Sequence, residues 1–126
     1  MYLLSGENIT CGYSSVDILS NCTIGVNRGQ IASIVGPNGA GKSTAMKAIF
    51  GLLGIRKGKI LLDGEDITSL HPQDRVLKGM GFVPQTNNIF PSLSVQENLE
   101  MGAFIQDEDC EDMLNYIYEL FPILKD

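Results

Sequence analysis

Nine consecutive residues, Gly36-Pro37-Asn38-Gly39-Ala40-Gly41-Lys42-Ser43-Thr44, decide how this sequence folds. The glycines let the backbone curl so that successive N–H groups point inward, with no Cβ in the way. Residues 30–35 before them form a β-rich apolar run that predicts a short strand, and residues 43–53 after them predict a helix ending near Gly54. The start of such a helix carries free N–H groups and a partial positive charge. The stretch therefore predicts an anion site between a strand and a helix.

The spacing of these residues matches G-x-x-x-x-G-K-[ST], the phosphate-binding P-loop. Lys42 strengthens the match, because a cation in the first turn of a helix costs about 0.3–1 kcal/mol unless an anion binds beside it. Ser43 would supply a hydroxyl to Mg²⁺, as P-loop enzymes generally do. The alternative is a glycine-rich turn that matches by accident, and the strand and helix expected on either side disfavour it. We predict that the chain binds ATP with Mg²⁺, through Gly36, Asn38, Gly39, Ala40, Gly41, Lys42, Ser43 and Thr44.

Composition sets broad limits on the molecule. The 126 residues are 44% apolar and 19% charged, which suits a domain with a hydrophobic core. The net charge of −6 provides no basic patch for a nucleic acid, so we expect no such partner. The most apolar stretch, residues 45–55, is too short for a membrane span, and the N-terminus does not resemble a signal peptide. We therefore expect a cytoplasmic location.

Several further residues are expected to have structural roles and no part in ligand binding or catalysis. Cys11, Cys22 and Cys110 lack C-x-x-C spacing, so we expect buried thiols rather than a metal site. Cys11 and Cys22 could face one another across neighbouring strands, but a reducing compartment disfavours a disulfide. We expect His71 to lie at the surface, and Met46, Ile49 and Phe50 to lie in the core.

The remaining elements follow from periodicity and capping signals. We predict strands over residues 2–10 and 16–26 joined by a turn at 12–15, a strand at 59–64, a helix at 72–78 and a strand at 81–84. Pro72 suits the first turn of its helix. Ser94 and Glu97 fit a capping box that begins a helix over about 95–105. A last helix opens with acidic residues 107–109 and places Cys110, Met113, Leu114, Ile117 and Phe121 on one face.

The nine-residue stretch closely resembles the Walker A motif of ATP-binding cassette (ABC) proteins, and three further matches accompany it. Tyr13 resembles the aromatic residue that stacks on adenine in that family, and residues 58–66 resemble the strand and turn after its P-loop helix. Val83-Pro84-Gln85 resembles the Q-loop, whose glutamine contacts Mg²⁺ or the attacking water and senses the membrane partner. Two of these matches have a simpler alternative: Tyr13 could be a packing aromatic residue, and Gln85 could be an exposed turn residue.

This resemblance implies an α/β fold of the P-loop NTPase class, an ABC-type ATPase domain in truncated form. It would comprise an N-terminal antiparallel β subdomain, the P-loop βα unit and the start of the helical subdomain. The implied division places the β subdomain and part of the RecA-like core in residues 1–93, and the start of the helical subdomain in residues 94–126. Implied catalytic residues are Lys42 and Gln85, and implied Mg²⁺ ligands are Ser43 and Gln85.

Residues 90–99 and 118–122 look most like the ATP-binding subunit of branched-chain amino acid importers, although 90–101 could be a plain surface loop and helix. The resemblance implies transmembrane permease subunits and a second ATP-binding subunit as partners, at the inner face of the cytoplasmic membrane. The family's signature, Walker B, D-loop and switch-histidine motifs do not occur in residues 1–126. We therefore expect ATP binding without efficient hydrolysis. The alternatives are a purely binding module and a soluble ABC ATPase acting on ribosomes or DNA.

Overall fold

The computed structural model describes residues 2–37, 41–84, 88–103 and 110–125. The chain forms two compact units, Met1–Phe82 and Val83–Asp126. The first unit contains a sheet and two helices, and the second contains helices only among its described residues.

A four-stranded antiparallel sheet forms the first unit. Its strands are β1 (Leu4–Cys11), β2 (Leu19–Val26), β3 (Lys57–Leu62) and β4 (Glu65–Asp66), in the order β2-β1-β3-β4. The strands predicted over 2–10, 16–26 and 59–64 are confirmed, with boundaries shifted by up to three residues. The turn Asp63-Gly64 leads into β4, which pairs Leu61 with Asp66 and Leu62 with Glu65. The sheet thus provides one continuous surface for a helix.

Helix α1 (Lys42–Phe50) covers that surface. Ala45 and Ala48 are buried on one face of α1, and their small side chains allow a close approach to the sheet. The other core residues come mainly from the strands: Ile9, Cys11, Leu19, Ile60 and Ile67.

The predicted end of α1 near Gly54 is wrong, because the helix stops at Phe50. Gly51 adopts the left-handed conformation at φ 95°, and its N–H donates to the carbonyls of Lys47 and Ala48. This is a common glycine-based helix end, since a residue without a Cβ enters that conformation at little cost. Met46 is 47% exposed, so its predicted core position is also wrong. Phe50 is half-buried and stacks on Phe82 with ring centroids 5.2 Å apart.

Helix α2 (Pro72–Leu77) confirms the helix predicted at 72–78, with Pro72 in its first turn. Arg75, only 2% exposed, lies on this helix. Its guanidinium donates to the carbonyls of Ile49 at 2.6 Å, Thr68 at 3.0 Å and Leu70 at 3.1 Å. Burial lowers the pKa of Arg75 from its ordinary value. The side chain therefore connects α2 to the C-terminal end of α1.

The strands predicted at 30–35 and 81–84 do not form. Ile31 is 97% exposed and Val35 is 87% exposed. Ile34 lines an apolar cavity of about 430 Å³ together with Leu4 and Ile49. A β-rich sequence becomes a strand only where a neighbouring strand accepts its backbone hydrogen bonds. Among the described residues neither run has a strand partner.

The second unit contains α3 (Val95–Met101), α4 (Glu111–Leu120) and a 3₁₀-helix (Pro122–Lys125). The predicted capping box is confirmed: the Glu97 N–H donates to Ser94 Oγ at 3.1 Å, and the Ser94 N–H donates to Glu97 Oε1 at 3.0 Å. The Ser94 backbone N–H and hydroxyl lower the pKa of Glu97. Helix α3 begins where expected and ends at Met101, while residues 104–105 of the predicted helix lie outside the described residues.

The apolar face predicted for the last helix is covered only in part. Leu114 and Ile117 are half-buried, whereas Met113 is 59% exposed and Phe121 is 57% exposed. The acidic residues 107–109 predicted at its start lie outside the described residues. Glu111 and Asp112 occupy the first turn of α4, where negative charge is favourable.

We predict that Arg75→Met lowers the free energy of unfolding by at least about 2 kcal/mol, because carbonyl oxygens buried around the guanidinium lose a charged donor. Arg28→Met is the matched control, since Arg28 pairs with Asp63 at the surface, with side chains 74% and 69% exposed. The control substitution should lower the free energy of unfolding by less than about 0.5 kcal/mol. Urea unfolding followed by circular dichroism measures both, and equal losses would contradict the role assigned to Arg75.

Candidate functional site

The candidate site is built around the N-terminus of α1. Gly41 precedes the helix in the left-handed conformation, at φ 93° and ψ 12°. Gly41 has no side chain with which to cap α1, no side-chain hydrogen bond caps this end among the residues that the structure describes, and the first turn contains no acidic residue. Helix α3, by contrast, has a capping box, in which the Glu97 N–H donates to Ser94 Oγ and the Ser94 N–H donates to Glu97 Oε1. The start of α1 is therefore suited to bind an anion with its free N–H groups and its positive dipole end.

Lys42 adds a full positive charge to this site. Its half-buried side chain reaches back across the loop, and the ammonium donates to the carbonyl oxygen of Gly36. The contact joins the first residue of the loop to the first residue of α1. An anion seated between them would take over this donor, because a charged partner accepts a stronger hydrogen bond than a neutral carbonyl. Asn38, Gly39 and Ala40 lie outside the described residues.

Ser43 and Thr44 differ in accessibility. Ser43 is exposed, so its hydroxyl can reach a ligand or a metal ion at the start of α1. Thr44, in contrast, is only 6% exposed. Any contribution of Thr44 to ligand binding is therefore expected from its backbone N–H.

The turn between β1 and β2 lies against the start of α1. A Cβ added to Gly41 would come within 2.7 Å of Leu19 Cδ2 and 3.4 Å of Ile18 Cγ2. Tyr13, in the same turn, is 48% exposed. The Lys47 ammonium on α1 lies 5.9 Å from the centroid of the Tyr13 ring. The fold thus brings Tyr13 close to the helix that follows the loop, although Tyr13 and Gly41 are 28 positions apart in the sequence.

Gln85, the remaining predicted site residue, lies outside the described residues. Val83, two residues before Gln85, is 83% exposed. The described residues contain no group of three or more His, Cys, Asp or Glu side chains arranged for a metal ion. The cysteines are free thiols, and burial raises the pKa of Cys11 while the charge of Arg56 opposes that change. His71 is exposed at the start of α2.

Two basic residues near Tyr13 were not predicted from the sequence. Lys47 contacts the ring, and Arg56 donates to the Ser14 carbonyl and pairs with Asp17. Lys47 is signalled only by its position on the helix after the loop. Arg56 has no sequence signal, since its contacts span 39 and 42 residues.

A glycine-rich loop that leads into the N-terminus of a helix occurs in many phosphate-binding proteins. Comparison with known proteins shows to which family this chain belongs. The family model described as ABC transporter matches residues 19–121. The chain belongs to the ABC transporter family. Its fold is accordingly that of an ABC-type P-loop ATPase, as the sequence predicted.

Individual relatives agree on the family and differ in their named solutes. A probable branched-chain amino acid transport ATP-binding protein, LivF of Archaeoglobus fulgidus, is 38% identical over 124 residues, covering 98% of this chain and 52% of the relative. The lipopolysaccharide export system ATP-binding protein LptB of Haemophilus influenzae is 41% identical over 99 residues, covering 79% of this chain and 41% of that protein. The chain thus spans about half the length of the curated relatives it matches.

Solved structures give the same result. A nucleotide-free ATP-binding cassette from an ABC transporter superposes with a TM-score of 0.75 at 33% identity, covering 92% of this chain and 46% of that one. A cassette in its ADP conformation superposes with a TM-score of 0.74 at 33% identity over the same shares of the two chains. Within the described part of this chain, no helix combines the length and hydropathy needed to cross a bilayer.

We predict that Gly41→Ala lowers the free energy of unfolding by about 2–4 kcal/mol, the sum of a left-handed backbone penalty and a clash with Leu19. Gly29→Ala is the matched control, because Gly29 also has a positive φ of 75° but nothing lies within 4 Å of an added Cβ. The control should show the backbone penalty alone, about 1 kcal/mol. Urea titrations measure the free energy of unfolding of both variants. Equal losses would show that Leu19 does not restrict the side chain at position 41.

Proposed function

We propose that this chain is the nucleotide-binding part of an ABC transporter ATP-binding subunit, and that it binds Mg·ATP at the start of α1. The observation that carries the proposal is the helix N-terminus at Gly41, which lies within the P-loop sequence, has no side-chain cap on Gly41 and is followed at once by Lys42. The absence of an acidic residue from the first turn of α1 further suits a polyphosphate.

Each predicted site residue has a distinct task in this proposal. Lys42 would move its ammonium from the Gly36 carbonyl to the β- and γ-phosphates. Ser43 would hold Mg²⁺, and Tyr13 would stack on the base. Bound Mg²⁺ would neutralise phosphate charge. The backbone amides of Gly36, Asn38, Gly39, Ala40, Gly41 and Thr44 would surround the phosphates, and Gln85 would contact Mg²⁺ or the attacking water.

The division proposed for the chain follows the family pattern. Residues 1–93 would belong to the β subdomain and part of the RecA-like core, and residues 94–126 would begin the helical subdomain. Residues 1–126 would supply the groups that bind nucleotide, but the family's Walker B carboxylates and signature motif do not occur in them. We therefore propose that this polypeptide binds ATP and hydrolyses it poorly by itself. The whole protein would couple hydrolysis to transport.

For the solute, we propose import of branched-chain amino acids. LivF of Archaeoglobus fulgidus supports this, and so does BraG of Pseudomonas aeruginosa, a high-affinity branched-chain amino acid transport ATP-binding protein 33% identical over 125 residues. Lipopolysaccharide export is the competing candidate, favoured by the 41% identity to LptB. Import requires transmembrane permease subunits and a second ATP-binding subunit at the inner face of the cytoplasmic membrane. Neighbouring genes for export components would contradict it.

We predict that the chain binds Mg·ATP and that Lys42→Ala weakens binding about tenfold or more, because charge-assisted hydrogen bonds to phosphate are lost. Isothermal titration calorimetry measures both affinities. Lys59→Ala is the matched control, since Lys59 is an exposed lysine paired with Glu7 on the sheet, and its affinity should be unchanged. Circular dichroism verifies that each variant is folded.

Phosphate release measured on the same samples separates binding from catalysis. The proposal requires a release rate indistinguishable from that of Lys42→Ala. A normal enzymatic rate that disappears in Lys42→Ala would contradict the inactivity of residues 1–126. No detectable ATP binding by folded protein, even at millimolar nucleotide, would contradict the nucleotide site itself.

A further inference from the structure

The turn between β1 and β2, residues 12–18, is held by two basic side chains from elsewhere in the first unit. We call it the tyrosine turn. It contains Tyr13 and closes on itself through a hydrogen bond from the Val16 N–H to the Tyr13 carbonyl at 3.1 Å. Ser14 within it has a positive φ of 55°, which is uncommon for a residue other than glycine. Surrounding contacts are needed to maintain such a conformation.

Lys47 makes the first of these contacts. Its ammonium lies 5.9 Å from the Tyr13 ring centroid and donates to the Tyr13 hydroxyl oxygen at 3.5 Å. A lysine at this distance is attracted by the electrons of the ring. Because Lys47 lies on α1, five residues after Lys42, it links the ring directly to the helix whose start forms the phosphate site. Tyr13 nevertheless stays 48% exposed, so ring surface remains available.

Arg56 makes the second contact, from the segment that precedes β3. Its guanidinium donates to the Ser14 carbonyl and pairs with the Asp17 carboxylate. Its own backbone N–H donates to the Thr10 carbonyl at 2.7 Å, which fixes Arg56 against β1. The planar guanidinium thus contacts the tyrosine turn on both sides of Val16. Its several N–H donors have fixed directions, so it can bind two acceptors at once.

A single exposed ion pair contributes little to stability, about 0–1 kcal/mol. Here Lys47 and Arg56 both contact the tyrosine turn. Together these contacts fix the position of the half-exposed Tyr13 ring. We infer that Lys47 and Arg56 are positioning residues that hold Tyr13 ready to stack on the nucleobase. This inference rests on the proposed nucleotide site. It assigns base recognition to the two basic residues and phosphate recognition to Lys42.

Two ligands separate these roles: Mg·ATP, which has a base, and Mg·tripolyphosphate, which has none. Calorimetric titration of the full chain should show Lys47→Met weakening ATP binding about two- to fivefold, the size of an exposed cation–π contact. Tripolyphosphate binding should be unchanged. Lys47→Arg should restore ATP affinity, since a guanidinium also binds an aromatic ring. Lys59→Met, on the exposed face of β3, is the matched control and should change neither affinity.

A second measurement tests positioning through Tyr13 itself. In a Tyr13→Ala background, Lys47→Met should cause no further loss of ATP affinity, because the ring that Lys47 holds is gone. The chain has no tryptophan, so Tyr13→Trp introduces a single fluorophore. Adding Arg56→Gln to Tyr13→Trp should lower the fluorescence anisotropy of that side chain. Circular dichroism checks that each variant remains folded.

The following results would contradict the inference or the site on which it rests. An equal loss for ATP and tripolyphosphate in Lys47→Met would show an effect on phosphate or on folding, and would overturn it. Unchanged ATP affinity in Lys47→Met would also overturn it, as would unchanged anisotropy when Arg56→Gln is added to Tyr13→Trp. So would a further loss in the Tyr13→Ala background. Failure of the unmodified chain to bind either ligand would instead contradict the proposed nucleotide site.

Discussion

Helix α1 begins directly after Gly41, a residue that has no side chain with which to cap the helix. A helix start without a cap leaves several N–H groups unsatisfied and concentrates positive potential there. Lys42 increases that potential, and its ammonium donates to the Gly36 carbonyl. Both ends of the helix are held in place: Leu19 lies against Gly41 at its start, and Arg75 binds the Ile49 carbonyl near its end. The sheet and α2 thereby fix the direction in which α1 presents its charge.

Local signals in the sequence predicted much of this architecture. The P-loop spacing predicted the start of α1, Pro72 predicted the start of α2, and Ser94 with Glu97 predicted that of α3. These signals act within a few residues, so a sequence displays them directly. The end of α1 was missed because the apolar pattern continues beyond Gly51, whose left-handed conformation stops the helix.

Long-range features could not be predicted in the same way. Residues 30–35 have strand-like composition, but composition does not reveal whether a neighbouring strand is present to pair with them. The pairing of Arg56 with Asp17 joins residues 39 positions apart, and no periodicity connects them. The identity of the transported solute could not be predicted from local sequence signals either. Relatives named for branched-chain amino acid transport and for lipopolysaccharide export both match this chain.

The central claim is that backbone N–H groups at the start of α1 bind a polyphosphate. Amide NMR shifts of ¹⁵N-labelled protein titrated with Mg·tripolyphosphate test it most directly, because they report each N–H separately. We expect the largest changes at Gly41, Lys42 and Ser43, and none of comparable size at the capped start of α3 around Ser94. The Lys42→Ala protein should lose these changes at the same ligand concentration. Shifts centred elsewhere, or an equal response in Lys42→Ala, would contradict the claim.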